Sequence, residues 1–138
     1  MKRLVFPAIL LVTMLLAACA PQAPAKEIVA VAGGTYTNVS ASGLQKMLKE
    51  KDFVFVNVHI PFAGNIAGTD VSIPYDQIVQ SLSQLPADKN ARIVLYCRSG
   101  HMSTIAAEEL VKLGYTDIWS LKGGMQAWEA AGLPIQDK

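Results

Sequence analysis

Two apolar runs of strand length, Phe53 to Val58 and Ile93 to Tyr96, constrain this chain more than any other feature. Neither alternates apolar with polar side chains, so neither can lie with one face in water. Both read as strands covered on both faces, the pattern of parallel sheets. The second run passes through a short polar loop, Cys97-Arg98-Ser99-Gly100-His101-Met102, into a helical pattern from Ser103 to Leu113 that Gly114 closes. A helix in that position makes the crossover to a further parallel strand, for which Ile118 to Leu121 is the candidate.

The remaining segments fit the same alternation. Glu27 to Val31 and Tyr36 to Val39 are short strand candidates separated by a Gly33-Gly34 turn. Ser40 or Ser42 can cap a short helix with Leu44, Met47 and Leu48 on its apolar side and Lys46, Lys49 and Glu50 in water. A loop containing Pro61, Gly64 and Gly68 leads to a short strand around Val71 to Ile73. Tyr75 to Leu85 reads as a helix with Ile78, Val79, Leu82 and Leu85 on one side, ended by Pro86. Gly123-Gly124 is a turn, and a last helix from Met125 to Ala131 is stopped by Gly132 and Pro134. With no internal repeat and no second domain, the prediction is one α/β domain over residues 27–138. It has three layers, a mainly parallel central sheet flanked by helices.

The amino end is of another kind. Met1-Lys2-Arg3 is basic, Leu4 to Leu16 is almost wholly apolar, and Ala17-Ala18 supplies small residues before a cleavage point, the make-up of a secretory signal over residues 1–18. About 15 apolar residues fall short of the roughly 20 that span a bilayer. Leu16-Ala17-Ala18-Cys19 resembles the lipobox of bacterial lipoproteins, which implies lipidation of Cys19 after cleavage in front of it. An ordinary signal with a cysteine near its cleavage site, or an uncleaved anchor, is the alternative. Residues 20–26, with Pro21 and Pro24 among small side chains, read as a tether. The expected location is the cell envelope. The protein would be lipid-anchored and face the periplasm, with the outer membrane favoured, or the cell exterior.

Charge excludes one class of partner. Without Lys2 and Arg3 the 12 basic residues become 10, against 11 acidic ones, so there is no basic surplus for nucleic acid. With Cys19 lipidated, Cys97 has no partner and a disulfide framework is excluded. Two histidines and one thiol at unrelated spacings make no metal site, and no cofactor is expected. His59, Trp119 and Trp128 are read as structural, and His101 as a loop residue facing water or an acceptor.

Cys97 is the residue that carries chemistry. A thiol that ends a strand and opens a helix faces backbone N–H groups and the positive end of a helix dipole, and such a sulfur is favoured as thiolate. The bland alternative is a small buried hydrophobe. Gly100 allows the loop its turn and Ser103 is placed to cap the helix and to donate to a bound anion. Arg98 offers a fixed positive charge. A phosphatase of the Cys-x5-Arg type is rejected, because Ser103 stands where its arginine would be.

These residues resemble the rhodanese family. Leu95-Tyr96-Cys97-Arg98-Ser99-Gly100, a helix, Gly114-Tyr115, a strand, and Lys122-Gly123-Gly124-Met125-Gln126-Ala127-Trp128 are similar to its carboxy-terminal half. The likeness extends more weakly to residue 37 through Gly64-Asn65-Ile66-Ala67-Gly68 and Ile73-Pro74. The resemblance implies a rhodanese-like fold and transfer of sulfane sulfur through a Cys97 persulfide. Arg98, Ser99, Gly100, His101, Met102 and Ser103 would bind an anionic donor such as thiosulfate, and the acceptor would be a thiol or a cyanide-like nucleophile. A monomer is expected. The rivals are a catalytically silent binding module and a polysulfide or thiol-redox protein. Met102 stands where many members have a basic or hydroxyl residue. Asn57 and His59 stand where an aspartate and an arginine are usual, and Asn65 replaces a histidine. These departures imply low activity on thiosulfate or a different donor.

Overall fold

The computed structural model describes residues 25–138; the expected signal, Cys19 and most of the tether lie outside them. The described chain runs β1 (Lys26–Val31), β2 (Gly34–Val39), α1 (Ala41–Lys49), β3 (Val54–Asn57), β4 (Val71–Ser72), β5 (Ile93–Tyr96), α2 (His101–Lys112), β6 (Ile118–Leu121) and α3 (Gly124–Ala130). One six-stranded sheet has the order β1-β2-β6-β5-β3-β4, with only β1 antiparallel. β1 begins at Lys26, and the Ala25 carbonyl accepts from the Ser40 N–H, so the fold starts inside the segment read as tether.

The two unalternating runs are the central strands β3 and β5, and their period of two divides the core into two layers. Val56, Val58, Ile93, Leu95, Cys97 and Ile118 face α2, which contributes Ala106, Ala107, Leu110 and Val111. Phe53, Phe55, Val94, Tyr96, Trp119 and Leu121 face the other way, toward Leu44 of α1 and Met125 and Trp128 of α3. The predicted three-layer α/β arrangement with a mainly parallel sheet is therefore the one observed. Ser40 is the cap of α1, accepting from the Gly43 N–H at 3.1 Å.

One predicted element is corrected. Residues 75–85 form two short 3-10 turns, Tyr75–Gln77 and Leu82–Gln84, rather than a helix. The backbone bonds, Gln77 to Pro74, Ser81 to Ile78, Gln84 to Ser81 and Leu85 to Leu82, all span three residues. Neither turn has a side-chain cap, and Ser81 and Ser83 favour helix weakly. The tighter winding still buries Ile78 and Leu85, but it turns Val79 out to water.

Candidate active site

In parallel sheets, loops at the carboxyl ends of the strands are left free of crossover packing, and Cys97 falls there, directly after β5. The loop turns because Gly100 takes φ +97°, a conformation open to glycine at little cost. The turn brings the Gly100 N–H to 3.0 Å from the Cys97 Sγ. Ahead of it stands the twelve-residue helix α2, whose amino end adds its dipole to the same region.

The loop is seated by the Gly123-Gly124 pair. The first N–H groups of α3 donate to the loop's own carbonyls, Met125 to Cys97 and Gln126 to Arg98, each at 2.9 Å. A Cβ at Gly124 would lie 2.3 Å from the Cys97 carbonyl oxygen and 2.7 Å from the Arg98 carbonyl carbon, so only glycine permits the approach. With the carbonyls of Cys97 and Arg98 bound by α3, those C=O groups are turned from the sulfur, and the Gly100 N–H is the backbone donor it receives.

Ser103 is not the helix cap. Gly100 holds the N-cap position without a side-chain bond, and Ser103 lies buried within the first turn. Its hydroxyl donates to the Gly100 carbonyl at 3.1 Å and accepts from the Cys97 thiol at 3.7 Å and from the Ser120 hydroxyl at 2.9 Å. Ser120, on β6, was not singled out in the sequence; the signal available was one serine in an otherwise apolar four-residue strand.

The other loop residues separate into two groups. Arg98, Ser99 and His101 are exposed, while Met102 is half-buried and packs against the core beneath the loop. Cys97 itself is 1% exposed, more enclosed than a thiol at a loop start suggests. Its aliphatic part packs with the α2-side core, and the loop closes over it. Arg98 makes no ion pair among the described residues. It lines an open cleft of about 300 Å³ together with Ala63, Met125, Glu129, Ile135 and Lys138.

The neighbouring end of β3 is held by neutral hydrogen bonds. Asn57 Nδ2 donates to the Gly64 carbonyl at 2.9 Å and to Asn65 Oδ1 at 3.0 Å, and its Oδ1 accepts from the His59 N–H at 3.0 Å. Tyr96 joins this neutral network, accepting from the Ile66 N–H at 3.0 Å and bonding Thr69 at 2.7 Å. Its phenol is held above the ordinary range by burial, so it stays protonated. His59 is half-buried and its Nδ1 is enclosed without a partner among the described residues. Burial, then the charge of Arg98, lower its pKa, so the ring is neutral at neutral pH. Among the described residues no cluster of three or more His, Cys, Asp or Glu is placed to hold a metal ion.

A thiol enclosed by a strand-to-helix loop, clamped from behind by a glycine pair, is an arrangement that comparisons with known proteins place in one class. The Rhodanese-like domain profile matches residues 40–131. A sulfurtransferase from Allochromatium vinosum is 33% identical over 98 residues, covering 70% of this chain and 90% of its own. Thiosulfate sulfurtransferase GlpE from Vibrio cholerae is 26% identical over 103 residues, 73% of this chain and 95% of its own. Among solved structures, a rhodanese-related protein from Thermoplasma volcanium is similar with a TM-score of 0.61 at 28% identity, over 71% of this chain and 95% of that one. The chain belongs to the rhodanese-like domain family.

Proposed function

We propose that this protein is a sulfurtransferase of the cell envelope that carries sulfane sulfur on Cys97. The observation that carries the reading is the Gly100 N–H aimed at the Cys97 Sγ at 3.0 Å in front of helix α2. A hydrogen bond to Sγ from the backbone stabilises the thiolate that attacks the donor and that is regenerated when the sulfur is passed on.

The transfer runs in two displacements. The Cys97 thiolate attacks the outer sulfur of a donor such as thiosulfate; a new S–S bond forms and the old one breaks, and sulfite leaves with the bonding pair. A thiolate or cyanide acceptor then attacks the outer sulfur of the persulfide, and the Cys97 thiolate is regenerated. Arg98, exposed and unpaired among the described residues, supplies the charge that gathers an anionic donor. Ser99, Gly100, His101 and Ser103 complete the donor-binding loop, with Met102 forming its floor. A monomer anchored through lipid on Cys19, with residues 1–18 removed as a signal, would perform this chemistry at the periplasmic or outer surface of a membrane.

The test is to incubate the purified protein with thiosulfate and weigh it. A gain of one sulfur atom, absent from Cys97→Ser, is expected; no gain with thiosulfate, polysulfide or glutathione persulfide overturns the reading. The closure of Cys97 to 1% exposure favours a second reading, a rhodanese-like module that binds a ligand at the loop without turnover. Binding of thiosulfate without any mass gain would select it.

A further inference from the structure

The enclosed sulfur is backed by two hydroxyls that no packing argument requires. Ser103 and Ser120 are 0% and 1% exposed, and their oxygens lie 2.9 Å apart between α2 and β6. Alanine would fill either place in an apolar core without leaving polar atoms to satisfy. The pair is instead wired in one direction: Ser120 donates to Ser103, and Ser103 donates to the Gly100 carbonyl while accepting from the Cys97 thiol.

The Gly100 carbonyl does not depend on Ser103. It also receives the Thr104 hydroxyl at 2.9 Å and the Thr104 N–H at 3.1 Å. The Ser103 hydroxyl is therefore free to turn toward the sulfur without orphaning a buried acceptor. When the thiol loses its proton to solvent, its S–H bond to Ser103 disappears, and Ser103 is left beside an anion with its own proton to give. The Ser103 oxygen still accepts from Ser120, which holds it in place and makes it a stronger donor by polarising it.

We propose that Ser120 is a positioning residue: its hydroxyl holds Ser103 so that Ser103 donates to the Cys97 sulfur when it is a thiolate. This rests on the sulfur-carrier reading for its purpose, but it is tested without it. The rate of alkylation of Cys97 by iodoacetamide, followed across pH in the purified protein, reports thiol ionisation whatever the sulfur donor. The charged and titratable groups around the loop, Arg98, His101, His59 and Lys122 with its partner Glu27, are the same in wild type and variant, so a difference reports the hydroxyl.

Ser120→Ala is expected to move the midpoint of the alkylation curve upward and to slow sulfur uptake about threefold to tenfold, the worth of one hydrogen bond. Ser103→Ala is expected to do at least as much, and the double variant no more than Ser103→Ala alone, because Ser120 acts through Ser103. If Ser120→Ala does not fold, Ser120→Thr, which keeps the hydroxyl, and Ser120→Val, which has the same shape without it, make the same comparison. An unchanged midpoint in the variant lacking the hydroxyl, or effects that add in the double variant, overturns the proposal. A wild type that takes up no sulfur, with the midpoint still shifted in Ser120→Ala, overturns the sulfurtransferase reading and leaves the role of Ser120 standing.

Discussion

The amino ends of the parallel strands and the Cys97 loop at their carboxyl ends are built on opposite principles. At the amino ends of the strands, charges are matched locally. Arg92 bonds Asp117 at 3.0 Å and Asp52 at 3.3 Å, and Lys51 bonds Asp70 at 2.6 Å. Asp70 also accepts from the Phe55 N–H at 2.7 Å. Burial works against ionising Asp70, but the bonds from Lys51 and Phe55 outweigh it and lower its pKa. At the carboxyl ends Lys122 and Lys138 are paired with Glu27 and Glu129. Around the loop itself, however, polarity comes from neutral groups: Asn57, Asn65, Tyr96, Ser103 and Ser120. The one charge beside Cys97, Arg98, has no ion-pair partner among the described residues. A charge already neutralised offers little to a ligand, whereas an unpaired one next to a thiol keeps its field for whatever anion arrives.

The contrast can be broken most forcefully at Gly124. Gly124→Ala sets a Cβ against the Cys97 carbonyl at φ +56° and is expected to cost about 3 kcal/mol or more. Chemical denaturation measures the loss, and sulfur uptake should fall with it, since the clamp on the loop is what keeps its carbonyls turned away. Arg98→Gln should separate function from stability at the same end. We expect about a tenfold fall in kcat/KM for an anionic donor, with stability changed by no more than about 0.5 kcal/mol. An uncharged donor should lose much less.

Arg92→Ala is the mirror experiment at the amino ends. Its guanidinium bonds Asp117 and also lies 5.3 Å from the Trp119 ring centre, and its removal is expected to cost about 1 kcal/mol at most while leaving sulfur uptake unchanged. The smallest effect concerns His59. Its folded-state pKa lies below that of the unfolded chain, so the unfolded state binds more protons over the interval between the two. The associated stability is fully present above the unfolded value near 6.5 and is lost as the pH falls through it toward the lowered one. His59→Gln should flatten the melting temperature between neutral and mildly acid pH, and an unchanged slope would remove His59 from that account.

Much of this was legible from residue patterns. Unalternating runs placed β3 and β5 at the centre, and a thiol between a strand and a helix located the loop. Ser40, Gly100 and Gly114 marked turns and caps through chemistry that depends on a few neighbouring residues. The segment 75–85 was misread because its apolar spacing suits a helix, while its helix-poor serines and missing cap, with the demands of burying Ile78 and Leu85, favoured tighter turns. Ser103 was misplaced by one turn, since Gly100 alone can both reverse the chain and begin α2.

What the sequence determined by itself was therefore the class of fold, the identity of the nucleophile candidate and the positions of most turns, because periodicity, chain-reversing residues and strand length are local properties. Only the tertiary structure decided that Cys97 is enclosed, that the Gly123-Gly124 pair holds the loop by its carbonyls, and that Ser120 stands behind Ser103. The last two depend on residues of separate elements meeting within hydrogen-bond distance, and all three are set by how β5, β6, α2 and α3 pack.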